Sequence, residues 1–287
     1  MRTYLECIPC FMNQTLRVGR MVSEDEKQIK RLLDEVGMMI QDIPLAHTPP
    51  ETARFIYGKI KQITGKQDLF GPIKEACTRN ALLLYPGLKH RLKAAKDPLL
   101  TAIRIAIAGN IIDFGVGKKF NVEQELAATM TRDFAILDYR DFQEDLAGAD
   151  RILYIGDNAG ETVFDRVLIE ELGKPVTYVV RAAPIINDAT AEDARQAGID
   201  RVAAIMSSGC EAPGTILHLC SEEFLKIYRR SPLIISKGQG NYEGLSREGG
   251  KIYYLLQVKC QVIARDIGAP EGSIILKRAV SPETGQP

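Results

Sequence analysis

The feature that most constrains the fold is a series of short, uninterrupted apolar runs in the second half of the chain. Each run is rich in Val, Ile and Tyr and is closed by Gly or a small polar residue, and most are followed by a helical pattern. Parallel strands are buried on both faces, so they read as continuous apolar runs rather than alternating ones. The pattern predicts a βαβαβαβ series and a doubly wound, largely parallel sheet with helices on both faces. The runs lie at 152–155, 176–180, 202–206 and 233–235, with a fifth at 252–258 and helices beginning near Glu161, Ala191 and Pro213.

Before residue 148 the apolar residues recur instead at the three-and-four spacing of a helix face. Helix-start signals support this reading. Ser23 with Glu26 and Thr48 with Glu51 have capping-box spacing, and Asp97 precedes a first-turn proline. The chain is therefore predicted to be of the α/β class, with a mainly helical domain over residues 1–148 and a three-layer α/β/α domain over residues 149–287.

The charge balance argues against a chain built to coat nucleic acid or an anionic membrane. There are 37 Lys and Arg residues against 37 Asp and Glu, and 45% of residues are hydrophobic. The longest apolar stretch, at 105–112, is far short of the roughly 20 residues that a membrane helix needs. The first residues lack the pattern of a signal peptide. We expect a cytoplasmic protein with neither nucleic acid nor membrane as a partner.

Polar residues follow each of the first four predicted strands. In an open parallel sheet, ligands bind beyond the carboxyl ends of the strands, so these residues are expected to meet at one edge. They provide carboxylates, amides, hydroxyls and two cations. The residues are Asp157 and Asn158 after the first strand, Arg181, Asn187 and Asp188 after the second, Ser207 and Ser208 after the third, and Lys237, Asn241 and Glu243 after the fourth.

The first of these loops resembles a dinucleotide fingerprint only superficially, because GxGxxG is absent and Asp157 places a negative charge where a pyrophosphate would lie. A bound divalent cation would explain why carboxylates and phosphate-binding side chains occur together at this edge. Asp157, Asn158 and Asp188 are hard oxygen ligands of the kind that Mg²⁺ or Mn²⁺ takes, and Lys237 and Arg181 would bind phosphate. The alternative is that these Asp and Asn residues are turn formers and helix caps. A haloacid-dehalogenase-type phosphotransferase is disfavoured, because the DxD pattern is missing.

Two features of the helical half also carry chemistry. Asn110 and Asp113 interrupt an apolar helix and share one face, so they either end that helix or touch metal-bound water or substrate at the sheet edge. Cys7 and Cys10 form a CxxC in a helical context, which argues against a thioredoxin-like site. They are interpreted as buried thiols or as a candidate second metal or redox site.

Taken together, these motifs resemble the metal-dependent damage-control phosphatase family, in its archaeal and bacterial branch with an N-terminal CxxC. The resemblance covers nearly the whole chain. It rests on six segments in the same order, namely Cys7-x-x-Cys10, Asn80 before Leu84-Tyr85-Pro86, Gly109-Asn110-x-x-Asp113, Gly156-Asp157-Asn158-Ala159-Gly160-Glu161, the segment around Asn187-Asp188, and Lys237-Gly238-x-Gly240-Asn241-Tyr242-Glu243.

The resemblance implies a helical N-terminal part and a Rossmann-like part with the site in the cleft between them. It implies that Asp157, Asn158 and Asp188 ligate the metal. It also implies that Asn110, Asp113 and Lys237 line the substrate site. Looser matches add four further residues to this lining, namely Arg181, Asn187, Asn241 and Glu243.

The implied activity is hydrolysis of phosphomonoesters of small metabolites, such as sugar phosphates, nucleotides or damaged phosphometabolites, with Mn²⁺, Co²⁺, Ni²⁺ or Mg²⁺. In this hypothesis the metal-bound water attacks, Lys237 neutralises developing charge and Asp113 orients or deprotonates the water. Asp157 as a covalent nucleophile is a variant of the same hypothesis. Two other classes stay open: an S-adenosylmethionine-dependent methyltransferase and a non-catalytic phosphometabolite-binding protein.

Overall fold

The computed structural model describes residues 1–111 and 122–280. Its helices are α1 (Cys7–Val22), α2 (Glu26–Gln41), α3 (Pro49–Thr64), α4 (Gly71–Lys93), α5 (Pro98–Ile111), α6 (Val122–Thr131), α7 (Tyr139–Gly148), α8 (Thr162–Leu172), α9 (Ala191–Gln196), α10 (Glu222–Arg230), α11 (Gly238–Leu245) and α12 (Gln261–Ile267). Its strands are β1 (Phe134–Leu137), β2 (Ile152–Ile155), β3 (Val176–Val180), β4 (Ala204–Ser207), β5 (Ile234–Lys237), β6 (Ile252–Gln257) and β7 (Ile274–Arg278).

These strands form one sheet in the order β1-β7-β6-β5-β2-β3-β4. The five strands from β6 to β4 are parallel to one another, β7 is antiparallel to β6, and β1 is parallel to β7. The prediction of an α/β fold with a largely parallel sheet is thus confirmed. Within the described residues, no helix is both long and apolar enough to cross a membrane.

The two faces of the sheet are covered by different helices. Along β2, Ile152 and Tyr154 pack into a core with residues of α5 and α8, whereas Leu153 and Ile155 pack into a second core with residues of α10, α11 and α12. This alternation follows from the period of two in a strand, which sends successive side chains to opposite faces. A third core joins α1, α2 and α3. The sheet is therefore sandwiched between two helical layers.

Two of the three predicted helix starts are confirmed. Thr48 and Glu51 form a reciprocal capping box at α3, and the Asp97 side chain accepts a hydrogen bond from the N–H of Leu100 at the start of α5. The prediction for Ser23 is wrong, because Asp25 caps α2 instead. Ser23 ends α1, where its own N–H donates to the carbonyl of Gly19.

Three further features differ from the sequence prediction. The helix expected to begin near Pro213 begins instead at Glu222, as α10, because the segment at Pro213 forms a tight turn in which the N–H of Gly214 donates to the carbonyl of Ala212 at 2.8 Å. Strands β1 and β7 were not predicted. Strand β1 lies before residue 148, in the part predicted to be mainly helical, and joins the sheet. The division into domains 1–148 and 149–287 stays a prediction.

Candidate active site

The loops that follow β2 and β3 run side by side at the carboxyl end of the sheet. Asn158 and Asp188 form an isolated antiparallel bridge, and the N–H of Ala189 donates to the carbonyl of Asp157 at 2.8 Å. The structure thus brings the three residues predicted as metal ligands into one place. Each of them is buried.

Glu161, which lies just before α8, orients two amide side chains. Its Oε1 accepts from Asn110 Nδ2 at 2.8 Å and from Asn158 Nδ2 at 2.6 Å, and both amides also donate to Asp157 Oδ2, at 3.1 and 3.3 Å. Both amides thus direct their nitrogen atoms at carboxylates. Asn110 Oδ1 is buried and has no hydrogen-bond partner among the described residues. It is an acceptor that a bound ligand or water would satisfy.

Lys237 ends β5 and is fully buried. Its Nζ donates to Glu161 Oε2 at 3.1 Å and to Asp165 Oδ1 at 2.6 Å. Burial alone would lower the pKa of Lys237, but the carboxylates of Asp165 and Glu161 raise it above its ordinary value. The ammonium is therefore a permanent positive charge.

Arg181, which directly follows β3, is the second buried cation. Its Nε donates to Asp188 Oδ1 at 2.8 Å, its Nη2 to Asn241 Oδ1 at 2.8 Å and its Nη1 to Thr215 Oγ1 at 3.1 Å. Burial lowers the pKa of Arg181, but the neighbouring Asp188 carboxylate outweighs that effect and raises it. The hydrogen bond from the guanidinium fixes the orientation of the Asp188 carboxylate.

Asn241 of α11 links the ends of three strands. Its Nδ2 donates to the carbonyls of Gly156 and Lys237, at 2.9 and 2.7 Å, and its Oδ1 accepts from Arg181 and from Thr215. A primary amide has two N–H donors and two acceptor lone pairs, so this side chain is saturated. A direct hydrogen bond from Asn241 to a substrate would require one of these contacts to break.

Within the part of the chain that the structure describes, the buried cluster has more acids than bases. Its charged side chains are Asp157, Glu161, Asp165 and Asp188 against Lys237 and Arg181, and all six are buried. If all are ionised, the formal surplus is two negative charges. Burial, together with the charges of Glu161 and Asp188, raises the pKa of Asp157 well above its ordinary value. An oxygen-liganded divalent cation would supply the missing charge, so the donor set fits such an ion.

Among the described residues, no group of three or more His, Cys, Asp or Glu converges as a metal site. The predicted set contributes two carboxylates and one amide oxygen. Such a sparse set suits an ion that keeps several positions for water and for substrate phosphate, as Mg²⁺ does.

Gly238, the residue after Lys237, approaches Asp157 closely. Its φ of +77° is in the left-handed region, and a Cβ at this position would overlap Asp157 Oδ2. Only glycine satisfies both requirements without displacing the carboxylate. The lack of a side chain at Gly238 therefore allows the Asp157 carboxylate to lie where it does.

Three predicted site residues lie apart from these contacts or outside the described residues. The Glu243 carboxylate accepts from Gln239 Nε2 at 3.0 Å, and burial raises its pKa to about 7. Asn187 contributes its backbone carbonyl, which accepts from the N–H of Ala159 at 2.8 Å. Asp113 lies outside the residues that the structure describes.

The CxxC lies at the start of α1. Cys7 is half-buried and Cys10 is exposed. Burial raises the pKa of the Cys7 thiol, which disfavours the thiolate that metal binding or redox chemistry requires. In the described part of the chain no third His, Cys, Asp or Glu joins them as a metal-ligand group. The second metal site stays a prediction.

Sequence reasoning assigned no role to several residues of the cluster. Glu161 and Asp165 are four positions apart, a spacing that puts two carboxylates on one helix face and could have been noticed. Tyr154 and Tyr178 lie inside predicted strands and were therefore interpreted as core residues. No sequence pattern indicates a role for Thr215. The residues without a predicted role are Glu161, Asp165, Tyr154, Tyr178 and Thr215.

Comparison with known proteins adds a family assignment to this geometry. Residues 3–275 match the model of the damage-control phosphatase ARMT1-like domain. A crystal structure of a DUF89 family protein from Pyrococcus horikoshii matches with a TM-score of 0.90 and 31% sequence identity, covering 98% of this chain and all of that chain.

Similar sequences extend over nearly the whole chain. An uncharacterized protein of Methanocaldococcus jannaschii is 36% identical, covering 95% of this chain and 94% of that protein. Two proteins named damage-control phosphatase, from Pyrococcus horikoshii and Archaeoglobus fulgidus, are each 32% identical, covering 97% and 94% of this chain and 98% and 97% of those proteins. The resemblance inferred from the motifs is thus confirmed, and the chain belongs to the ARMT1-like damage-control phosphatase domain family.

Proposed function

We propose that this protein is a divalent-metal-dependent phosphatase that hydrolyses phosphomonoesters of small metabolites. Its family and its two named relatives support a phosphatase. The observation that supports the metal dependence is the buried cluster at the carboxyl end of the sheet, to which the described residues contribute four acids and two cations. A charge surplus buried at the edge where α/β sheets bind ligands is costly unless a cation joins it.

Asp157, Asn158 and Asp188 are the proposed ligands of this cation, which would be Mn²⁺, Co²⁺, Ni²⁺ or Mg²⁺. Such a cation, when bound, polarises a phosphoryl oxygen and lowers the pKa of a bound water. The orientation of the ligands is set by the protein. Arg181 donates to the Asp188 carboxylate, and Glu161 accepts from the amide nitrogen of Asn158, so that the amide oxygen is the atom left for a ligand.

Lys237 supplies a fixed positive charge for the negative charge that develops during phosphoryl transfer. Preorganised charge in a buried site stabilises a transition state without reorganisation during the reaction. Two of the three N–H donors of the ammonium are engaged by Glu161 and Asp165, so its position is fixed before substrate arrives. Asp113 is proposed to orient or deprotonate the attacking water. In the covalent variant, Asp157 attacks the phosphorus instead.

Among the residues proposed to bind substrate, Asn110 has a direct contact to offer. Its buried Oδ1, to which no described residue donates, can accept from a substrate hydroxyl or from a metal-bound water. Arg181 and Asn241 are engaged with each other, so we propose that they shape the site through Asp188 and the strand ends. Asn187 and Glu243 are proposed to lie at its margin.

The test is phosphate release from a panel of sugar phosphates, nucleotides and phosphorylated cofactors, with chelator-treated protein. Mn²⁺, Co²⁺, Ni²⁺, Mg²⁺ or no metal is added back, and methyl transfer from S-adenosylmethionine is assayed in parallel with chelator present. We expect release only with metal. Folded protein that releases no phosphate with any metal would contradict the proposal, and methyl transfer that survives chelation would favour the methyltransferase alternative.

A further inference from the structure

Asp165 lies one helical turn beyond Glu161 and is fully buried beneath the site. Its Oδ1 accepts from Lys237 Nζ at 2.6 Å and from the Tyr154 hydroxyl at 2.7 Å, and its Oδ2 accepts from the Tyr178 hydroxyl at 2.8 Å. Three donors thus converge on one carboxylate, which has no assigned role in the reaction.

The two tyrosines form a rigid platform for this carboxylate. Tyr154 on β2 pairs with Tyr178 on β3 in the sheet register, and their rings stack with centroids 5.4 Å apart. Burial raises the pKa of both hydroxyls well above the ordinary value, so both stay protonated as donors. A Cβ at Gly156 would overlap the Tyr178 hydroxyl, which shows how closely the backbone packs around it.

A continuous series of hydrogen bonds leads from this platform to the proposed metal ligands. Asp165 holds Lys237, Lys237 holds Glu161 Oε2, and Glu161 Oε1 holds the amide of Asn158. The same Glu161 oxygen also holds Asn110. Displacing Asp165 would therefore move the Lys237 ammonium. It would also move Glu161, whose carboxylate orients the two amides.

Stability alone does not account for this arrangement. Replacing a buried ion pair by apolar residues is often neutral or stabilising, so such a pair is weak evidence of a stabilising role. Burial raises the pKa of Asp165 although the Lys237 ammonium lowers it, so keeping this carboxylate ionised costs the folded state free energy. A role in the site, beyond packing, would explain a carboxylate at this position.

We propose that Asp165, held by Tyr154 and Tyr178, is a positioning residue that fixes Lys237 and, through Glu161, the orientation of the Asn158 amide. This proposal rests on the proposed function, because it takes the set of Asp157, Asn158 and Asp188 as the metal ligands. Residues that orient metal ligands without touching the metal are typically worth about 10- to 100-fold in metal affinity or activity.

The experiment compares Tyr154→Phe, Tyr178→Phe and Asp165→Asn with the wild type. The readouts are the Mn²⁺ dissociation constant by calorimetry, kcat and KM for the best phosphoester, and the thermal midpoint. We expect each variant to weaken Mn²⁺ binding or to lower kcat by about 10-fold, with KM changed less than kcat.

The chain offers a matched control on the same face of the sheet, on β6, two strands away from β2. The Tyr253 hydroxyl donates to Asp145 Oδ2 at 2.7 Å, and Asp145 also pairs with Arg278 and Lys251. Tyr253→Phe and Asp145→Asn remove the same kinds of contact without touching the proposed site. They should lower the thermal midpoint while leaving kcat and Mn²⁺ binding unchanged.

The proposal is overturned if the two tyrosine variants match the wild type in Mn²⁺ affinity, kcat and KM, whatever their thermal midpoints. If Asp165→Asn does not fold, the tyrosine variants decide. If the wild type binds Mn²⁺ but hydrolyses no ester, the proposed function fails and the calorimetric comparison still decides the positioning role. A wild type that neither binds Mn²⁺ nor releases phosphate overturns both.

Discussion

Asp165, beside β2 and β3, and Asp145, beside β6 and β7, are each held by a tyrosine hydroxyl and a cationic side chain. Around Asp165 the two tyrosine hydroxyls and the Lys237 ammonium are buried, the ammonium is shared with Glu161, and burial raises the pKa of Asp165. At Asp145 burial also raises the pKa, but hydrogen bonds from Lys251 and Tyr253 and the charge of Arg278 outweigh it, so the pKa is lowered.

The difference lies in the ratio of acids to bases and in access to water. Two cations serve Asp145, and their side chains are 50% and 38% exposed, so solvent screens the pair. Among the described residues of the site, four buried acids share two buried cations. The same chemical groups thus form a charge-balanced contact at Asp145 and a cluster with a surplus of acids at the candidate site. Local rules of this kind are most often broken at functional sites.

Asp157→Ala tests this contrast with the largest expected effect. Loss of a proposed ligand should abolish Mn²⁺ binding and lower kcat/KM by at least about 1,000-fold. The same change removes a buried carboxyl group whose pKa is raised by burial and by the neighbouring acids, so the thermal midpoint without metal should stay the same or rise. Phosphate release, calorimetry and thermal unfolding measure the three quantities.

Asp145→Ala is the opposite case, because its carboxylate is matched by cations. It should lower the thermal midpoint and keep kcat/KM. Normal turnover by Asp157→Ala, or a loss of stability as large as that of Asp145→Ala, would remove the distinction between the two clusters.

Gly238→Ala tests whether the site tolerates displacement of Asp157. The new Cβ would overlap Asp157 Oδ2, and a misplacement of about 1 Å can cost about 100-fold in rate, so we expect kcat to fall by about that factor. Gly268→Ala is the control, because Gly268 has a φ of +78° but nothing within 4 Å of a Cβ. It should cost about 1–2 kcal/mol of stability from backbone strain alone, with full activity. Equal kcat values for the two variants would contradict this view of position 238.

The smallest effect is a pH-dependent difference in stability. Because the pKa of Glu243 is raised to about 7, the folded state holds a proton that the unfolded state releases above its ordinary pKa of 4.5, and stability is lost as the pH rises between these values. Glu243→Gln should therefore become more stable relative to the wild type by about 2 kcal/mol between pH 5 and pH 8. Urea unfolding at both pH values measures this.

Asp145→Asn should show the opposite sign. The lowered pKa of Asp145 contributes stability that is present at neutral pH and is lost as the pH falls through the folded-state pKa. This variant should be less stable than the wild type at pH 8, with the difference shrinking in acid. A pH-independent difference for Glu243→Gln would show that its carboxyl titrates normally.

The central strands could be predicted from the sequence because burial on both faces leaves a continuous apolar run. Strand β1 could not, since it is a four-residue edge strand with alternating exposure, and such a short run is indistinguishable from a helix end. Strand β7 follows the seven-residue α12 and returns antiparallel to β6, which departs from the repeating βα pattern. The turn at Gly214 depends on contacts from distant elements, which local propensity does not contain.

The loops of the candidate site could be predicted, because parallel strands deliver their following residues to one edge. The partners of those residues could not. Glu161 and Asp165 read as ordinary positions at the start of a helix, and their contacts with Tyr154, Tyr178 and Lys237 arise only from the strand order and register. Sequence spacing thus predicts which residues arrive at the site but not which of them hold the others in place.

The saturated amide of Asn241 limits how far the candidate site can change its shape. It links the ends of β2, β3 and β5 and the segment at Thr215 to one another. Any shift of one strand end would therefore have to break a hydrogen bond to another. Under the proposed function, we expect the strand ends to keep one shape for every phosphoester, so that selectivity among esters comes from residues outside this hydrogen-bonded set.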